Sequence, residues 1–388
     1  MNNNADKAPQ PEDDLLLNGL DGTNPLGFLA ALGVLQTLTT AHVAKVAMSW
    51  SYHESSWAPV LHGVGRDRKR IASTLAKQLM CPFQPDQDAE VKRDEAQKAF
   101  DDKKADLRRA NENLKKQRLR GNELKVAEDR ELAPIRNQLA QLRSAWLEAL
   151  QNCVPSLELS LGKHVDARCE ELRDAVLVSL GEASQSNRGV LDLYASFGSD
   201  VCAQEKSDRM QATRFCFITG SGHQYFLDTV RQLATNLTEP RFEEALFDKT
   251  EPRDEKLSMR WDPIEDRRYA AMWSDPTASD NKARTSWSLN LLAYHGLQLL
   301  PSIPRSGGLR GTGWSGDEDT AWSWPIWSGP LTSCVVRSLL SHPWLVDENA
   351  NRASLRSFGI AAVYQSLRIE VGARPLHKIN FTPASRIR

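Results

Sequence analysis

TNPLGFLAALGVLQTL, Thr23–Leu38, is the most apolar run of the chain. Thr23 or Asn24 suits the cap of a helix, and Pro25 suits its first position, where a missing N–H loses no partner. The helix that follows, Leu26 to about Thr40, is apolar on nearly every side and therefore predicts burial rather than a half-solvated position. It is too short to cross a bilayer. DLLLNGL before it reads as a short strand, and DGTN as the turn between them. VAMSWSYH and SWAPVLHG after it read as two strands joined by a tight turn. DRKRIASTLAKQLM then reads as an amphipathic helix with Ile71, Leu75 and Leu79 on one face. The order β-α-β-β-α is an α+β start.

Composition changes sharply further along. From about Asp88 to Leu150 the chain is dense in Lys, Arg, Glu, Asp, Gln and Ala. Phe100, Leu107 and Leu114 recur at intervals of seven, and Leu132, Ile135, Leu139, Leu142 and Trp146 follow a 3/4 spacing. Arg120, Gly121 and Asn122 suit a turn between the two arms. The pattern predicts a long antiparallel helical hairpin of coiled-coil type. An arm of about 30 residues would reach roughly 45 Å. Pro134 is expected to begin or kink the second arm. The charges read either as a solvated surface or as an arm that docks on a neighbouring subunit.

Globular composition then returns. ARCEELRDAVLVSL reads as a helix, VLDLYASF and ATRFCFITG as strands, and GSGHQYFLDTVRQLATNL as a turn and helix. SWSLNLLAYHGLQLLPSIP is a helix ended by Pro301. RSGGLRGTG is a Gly-rich loop, LTSCVVRSLLSHPWL a helix, and SLRIEVGARPLHKINF a hairpin closing a sheet. The predicted organisation is a disordered leader over 1–14, an N-terminal α+β part over 15–87, the hairpin insertion over 88–152 and a C-terminal α+β part over 153–388. The fold class is α+β, a mixed globular body interrupted by the hairpin.

The 388 residues carry a formal charge of −1, so any nucleic-acid contact must come from local patches. None of the six cysteines forms a CxxC pair, which favours reduced thiols and a cytoplasmic protein. The eight histidines make no HxxxH or HExxH pair, and no P-loop or GxSxG elbow is present. These patterns point to no catalytic residue, metal or cofactor. Ser221, between Gly220 and Gly222, reads as a helix cap or as part of an anion-binding nest.

RWDPIEDRRY, Arg260–Tyr269, offers Asp262, Glu265 and Asp266 as a possible Mg²⁺ set. Arg260, Arg267 and Arg268 among them would depress metal affinity, which favours an ion-paired turn. Eight of the eleven tryptophans lie between Trp261 and Trp344, interleaved with arginines. Aromatic and basic residues together suit base stacking and phosphate neutralisation, although tryptophans are also the stuff of cores. The tail Leu367–Arg388 carries Arg368, Arg374, Lys378, Arg386 and Arg388 against Glu370.

TNPLGFLAALGVLQTL, SGHQYFL, RWDPIEDRRYA, LAYHGLQLLPSIP, the Trp-Pro-Ile-Trp segment and LRSFGIAAVYQSLRI occur in this order. The ordered set resembles CRISPR-associated proteins of the type I-U/I-G group, over Leu15 to about His62 and Phe215 to Arg388 but not over the charged hairpin. The resemblance implies a non-catalytic large subunit of Cascade, the RNA-guided surveillance complex. Such a subunit reads a short flanking motif (PAM) in duplex DNA and recruits a separate helicase-nuclease. The implied partners are CRISPR RNA, target double-stranded DNA, other Cascade subunits and the helicase-nuclease, with no membrane. The expected nucleic-acid contacts are Arg267, Arg268, Arg305 and Arg310, with Lys282 and Arg284 behind them and His223 and Gln224 as polar readers. Two rival readings stand beside this one: a metal-dependent nuclease using Asp262, Glu265 and Asp266, and a scaffold acting through the hairpin.

Overall fold

The computed structural model describes residues 14–43, 45–80, 87–117, 119–151, 161–162, 164–181, 188–218, 225–249, 251–263, 284–306, 308–316, 319–347, 349, 352–371 and 378–388. The chain divides into two compact units, Met1–Met80 with Leu161–Arg388, and Cys81–Ser160. The first unit mixes helix and sheet, which is the α+β class.

Its first elements follow the apolar run. Strand β1 (Leu15–Leu16) leads into helix α1 (Pro25–Thr40). The Asn24 side chain accepts the Leu26 N–H at 2.8 Å, and Pro25 occupies the first turn. Every residue of α1 from Pro25 to Leu38 is buried. Strands β2 (Ala47–His53) and β3 (Ser56–His62) form an antiparallel hairpin, and the sheet order is β1-β3-β2. Glu54 and Ser55 turn the hairpin with φ of 45° and 69°, the left-handed pair that a two-residue turn needs. Helix α2 (Arg68–Leu79) buries Ile71, Leu75 and Leu79.

The second unit holds three helices, α3 (Gln87–Lys116), α4 (Gly121–Glu131) and α5 (Ala133–Gln151). Phe100, Leu107, Leu114, Ala127, Leu132, Leu139 and Trp146 form its core, and Phe100 stacks on Trp146 at 5.4 Å. The heptad positions are thus the buried ones. The second arm of the expected hairpin is broken between Glu131 and Ala133, at the turn before Pro134.

Returning to the first unit, helices α6 (Cys169–Gly181), α7 (Arg188–Phe197), α8 (Phe226–Asn236) and α9 (Glu239–Phe247) come next. VLDLYASF, expected as a strand, is α7. Its buried residues Leu193, Tyr194 and Phe197 have helical spacing, and Arg337 clamps Asp192 through bonds of 2.7 and 2.6 Å. Thr213–Ile218, expected as a strand, is irregular: Phe215 and Phe217 are buried, but the Cys216 N–H turns back to the Thr213 carbonyl. The position before α8 is Tyr225, without a side-chain cap bond. Ser221 lies outside the described residues.

The short strands β4 (Asp254–Glu255) and β5 (Arg284–Thr285) pair before helix α10 (Trp287–Gly296). The Gly-rich RSGGLRGTG is part of a hairpin, β6 (Ser302–Arg305) with β7 (Gly308–Gly311). A larger antiparallel sheet then gathers β8 (Trp314–Ser315), β9 (Ala321–Trp327), β10 (Ile360–Val371), β11 (Lys378–Phe381) and β12 (Ser385–Arg386). Helices α11 (Ser333–Leu340) and α12 (Arg352–Ser357) lie between β9 and β10 in sequence. All seven residues of β9 are buried. Pro325 is tolerated there because β8 pairs only with Ala321 and Trp322, leaving one side of the strand free of that ladder.

The core lies where α1 meets both sheets. Phe28 packs against Trp50, Trp322, Trp324 and Trp327 at 5.5–6.3 Å. The Trp324 indole donates to the Gly22 carbonyl at 2.9 Å and Trp327 to that of Met48 at 2.7 Å. An indole buries a large apolar area, and its one donor must be satisfied when buried. These two tryptophans therefore fix the N-terminal sheet against the C-terminal one.

Candidate nucleic-acid interface

RWDPIEDRRY divides at the edge of what is described. Trp261 is fully buried and donates its indole N–H to the Phe215 carbonyl at 2.9 Å. Asp262 is buried and accepts from the Asn24 amide at 2.9 Å, so it links this turn to the cap of α1. Arg260 takes a left-handed φ of 63°, with its N–H on the Ser258 hydroxyl. The described part of the stretch is thus a brace between the two halves of the globular unit. Glu265, Asp266, Arg267 and Arg268 lie outside the described residues, as do His223, Gln224 and Lys282.

Five of the eight tryptophans in this half of the chain are core construction. Trp261, Trp314, Trp322, Trp324 and Trp327 are all fully buried and unable to stack on a base. Two cations of the basic tail are engaged as well: Arg388 donates to the Trp344 carbonyl at 2.7 Å and Arg386 to that of Ala361 at 3.1 Å. Arg284 sits on the β4–β5 ribbon opposite Glu255, with its Nε buried and lacking a hydrogen-bond partner.

The two arginines of the Gly-rich segment have different fates. Arg305 ends β6 at the hairpin turn and is exposed, close to the exposed Ile303. Gln211 holds the turn end of this hairpin, accepting the Leu309 N–H at 2.9 Å. Arg310 faces inward, its Nε 3.2 Å from the buried Asp319 carboxylate. Arg214 approaches the other oxygen of the same carboxylate at 3.8 Å. The backbone N–H of Arg368 on β10 binds the carbonyl of Thr320, next to Asp319, so this strand borders the pair. Two guanidiniums thus face one carboxylate. Arg214 comes from a segment whose local sequence carries no signal, and only the fold brings it to the carboxylate that Arg310 holds.

A Ser–His–Asp chain was also hidden from local motifs. Ser49 Oγ lies 2.8 Å from His62 Nε2, and His62 Nδ1 lies 2.7 Å from Asp14 Oδ1. Strand register explains it: Ala47 opposes His62, so Ser49 shares its face, while Asp14 precedes the Leu15–Leu61 pair. Nδ1–H donates to Asp14, leaving Nε2 to accept from the serine. Ser49 is 6% exposed, so its hydroxyl is closed to an acyl substrate. The chain ties together the open ends of three strands.

Another polar cleft, between α9 and α10, is lined by ion-paired residues. Arg241 grips Asp254 through bonds of 2.7 and 2.6 Å, and Arg253 binds Glu244. No helix among the described residues is long and apolar enough to cross a membrane. No protein-family model matches the chain, and no curated protein matches it.

Proposed function

We propose that the chain is a nucleic-acid-binding subunit of a type I RNA-guided CRISPR surveillance complex, in the non-catalytic role of a Cascade large subunit. One observation carries the interface: the β6–β7 hairpin presents the exposed Arg305, and its Arg310 shares a single buried carboxylate with Arg214. A backbone of phosphates is the ligand such a surface suits, and the ordered sequence motifs supply the class of complex. PAM reading, recruitment of a helicase-nuclease and action in the cytoplasm belong to the same reading. The charged three-helix unit serves in it as the arm that docks a neighbouring subunit.

The nuclease reading loses ground because Asp262 is buried and bonded to Asn24, a position suited to bracing rather than to an open metal site. The test of the interface is charge reversal at Arg305. Arg305→Glu should weaken target-DNA binding by the assembled complex and lower its dependence on salt. Unchanged affinity and salt slope would remove the hairpin from the interface.

A further inference from the structure

We propose that Arg214 and Arg368 form a binding site for one phosphate of a nucleic-acid backbone, at the rim where the Thr213–Phe217 segment meets β10. The inference rests on the functional reading above for the identity of the polymer, and on the arginines themselves for the phosphate.

Charge balance carries the argument. Asp319 is 3% exposed and faces Arg310 at 3.2 Å and Arg214 at 3.8 Å. One carboxylate balances one guanidinium, and the nearer, Arg310, takes it. Arg368 has no carboxylate within ion-pair distance among the described residues, and its Nε is buried without a hydrogen-bond partner. Its guanidinium carbon lies 5.6 Å from the centre of the Phe217 ring. Burial, and next the Arg214 charge, pull its proton affinity below the usual arginine value, while Glu370 and Cys216 pull the other way. An arginine nonetheless keeps its proton, so the charge remains. Asp166, on the far side of Cys216, is committed to Arg209.

A half-buried, unpaired guanidinium is unfavourable for the fold by itself. A phosphate oxyanion would relieve the repulsion between Arg214 and Arg368. Planar guanidinium forks match phosphate oxygens through two parallel hydrogen bonds. The site is reachable from the Arg214 side, whose side chain is 36% exposed, and Arg368 is only partly buried. The exposed hairpin bearing Arg305 belongs to the same neighbourhood through Arg310 on β7, so a strand held at Arg368 could continue past it.

The experiment uses the full chain, fluorescent single-stranded RNA and DNA oligonucleotides, and inorganic tripolyphosphate as the small-anion probe. Arg368→Met and Arg214→Gln should each weaken oligonucleotide binding about ten-fold and reduce the salt slope by about one. Arg368→Met should also keep or raise the melting temperature, since it removes an unpaired buried charge. Oligonucleotide binding and salt slope that are unchanged in both variants would overturn the phosphate site while leaving the nucleic-acid reading standing. A large fall in melting temperature for Arg368→Met would overturn it too, by making the guanidinium a structural brace. If the wild type binds no oligonucleotide but is stabilised by tripolyphosphate, and Arg368→Met is not, the polymer is wrong and the functional reading falls with it.

Discussion

Helices α1 and α10 cross through a pair of glycines, and replacing one should be costly. A Cβ on Gly33 would stand 1.8 Å from the Leu292 carbonyl oxygen, and one on Gly296 would stand 2.2 Å from that of Leu29. The obstacle in each case is backbone, which cannot rotate away. Restoring normal contact at Gly33 requires the helices to part by roughly 1.5 Å. Both helices are buried nearly all round, so separation disturbs the Phe28–tryptophan cluster as well. Overpacking typically costs about 1–3 kcal/mol, and a rigid obstacle belongs at or above the top of that range. Alanine returns about 1 kcal/mol of helix propensity. Gly33→Ala should therefore lose about 2 kcal/mol or more, measured by urea unfolding followed through tryptophan fluorescence. Gly329→Ala, where a Cβ meets nothing within 4 Å, is the matched control. A Gly33→Ala protein as stable as wild type would refute the close crossing.

Three further outcomes follow from burial and pairing elsewhere in the fold. Burial pushes His295 down to about 4 from an ordinary value of 6.5, so the unfolded chain binds its proton first as pH falls. Stability from this group should be full above about pH 6.5 and lost progressively down to pH 4, by at most ~3 kcal/mol because the ring edge keeps some exposure; His295→Leu should flatten that part of a pH-dependent unfolding curve. Asp192→Ala would leave Arg337 unpaired in a half-buried position and should cost about 3 kcal/mol by denaturant unfolding, whereas an effect below about 0.5 kcal/mol would make the pair superficial. Burial pushes the Cys216 thiol up to about 12, while Cys334 is exposed. Alkylation of the native protein near neutral pH, mapped by mass spectrometry, should mark Cys334 and spare Cys216.

Elements governed by local chemistry were legible in the sequence. Asn24 and Pro25 marked the start of α1, its uniform apolarity marked its burial, and period-two patterning marked β2, β3 and the β10–β11 hairpin. Elements decided by tertiary partners were not. VLDLYASF has the aromatic and branched residues of a strand, yet Arg337, distant in sequence, holds Asp192 on a helix. The heptad leucines foretold the buried face of α3, but not the break after Glu131. Among candidate site residues, Arg305 was found by its glycine-rich setting and is exposed. The interleaving of tryptophan with arginine looked like a stacking surface, because a buried indole and a stacking indole have the same letter. Arg214, Asp319 and Arg368 have no shared local pattern, and only the packing of three separate segments assembles them.

The central claim is that this chain works on nucleic acid inside an RNA-guided complex. Its most direct test is to express the tagged chain together with the genes that flank its own, purify it under mild salt, and identify both proteins and RNA. The account predicts a stable assembly containing a CRISPR-repeat-derived guide RNA, lost when the tagged chain is purified alone. An assembly of proteins without RNA, or a chain that purifies with no partner from that full set, would contradict it.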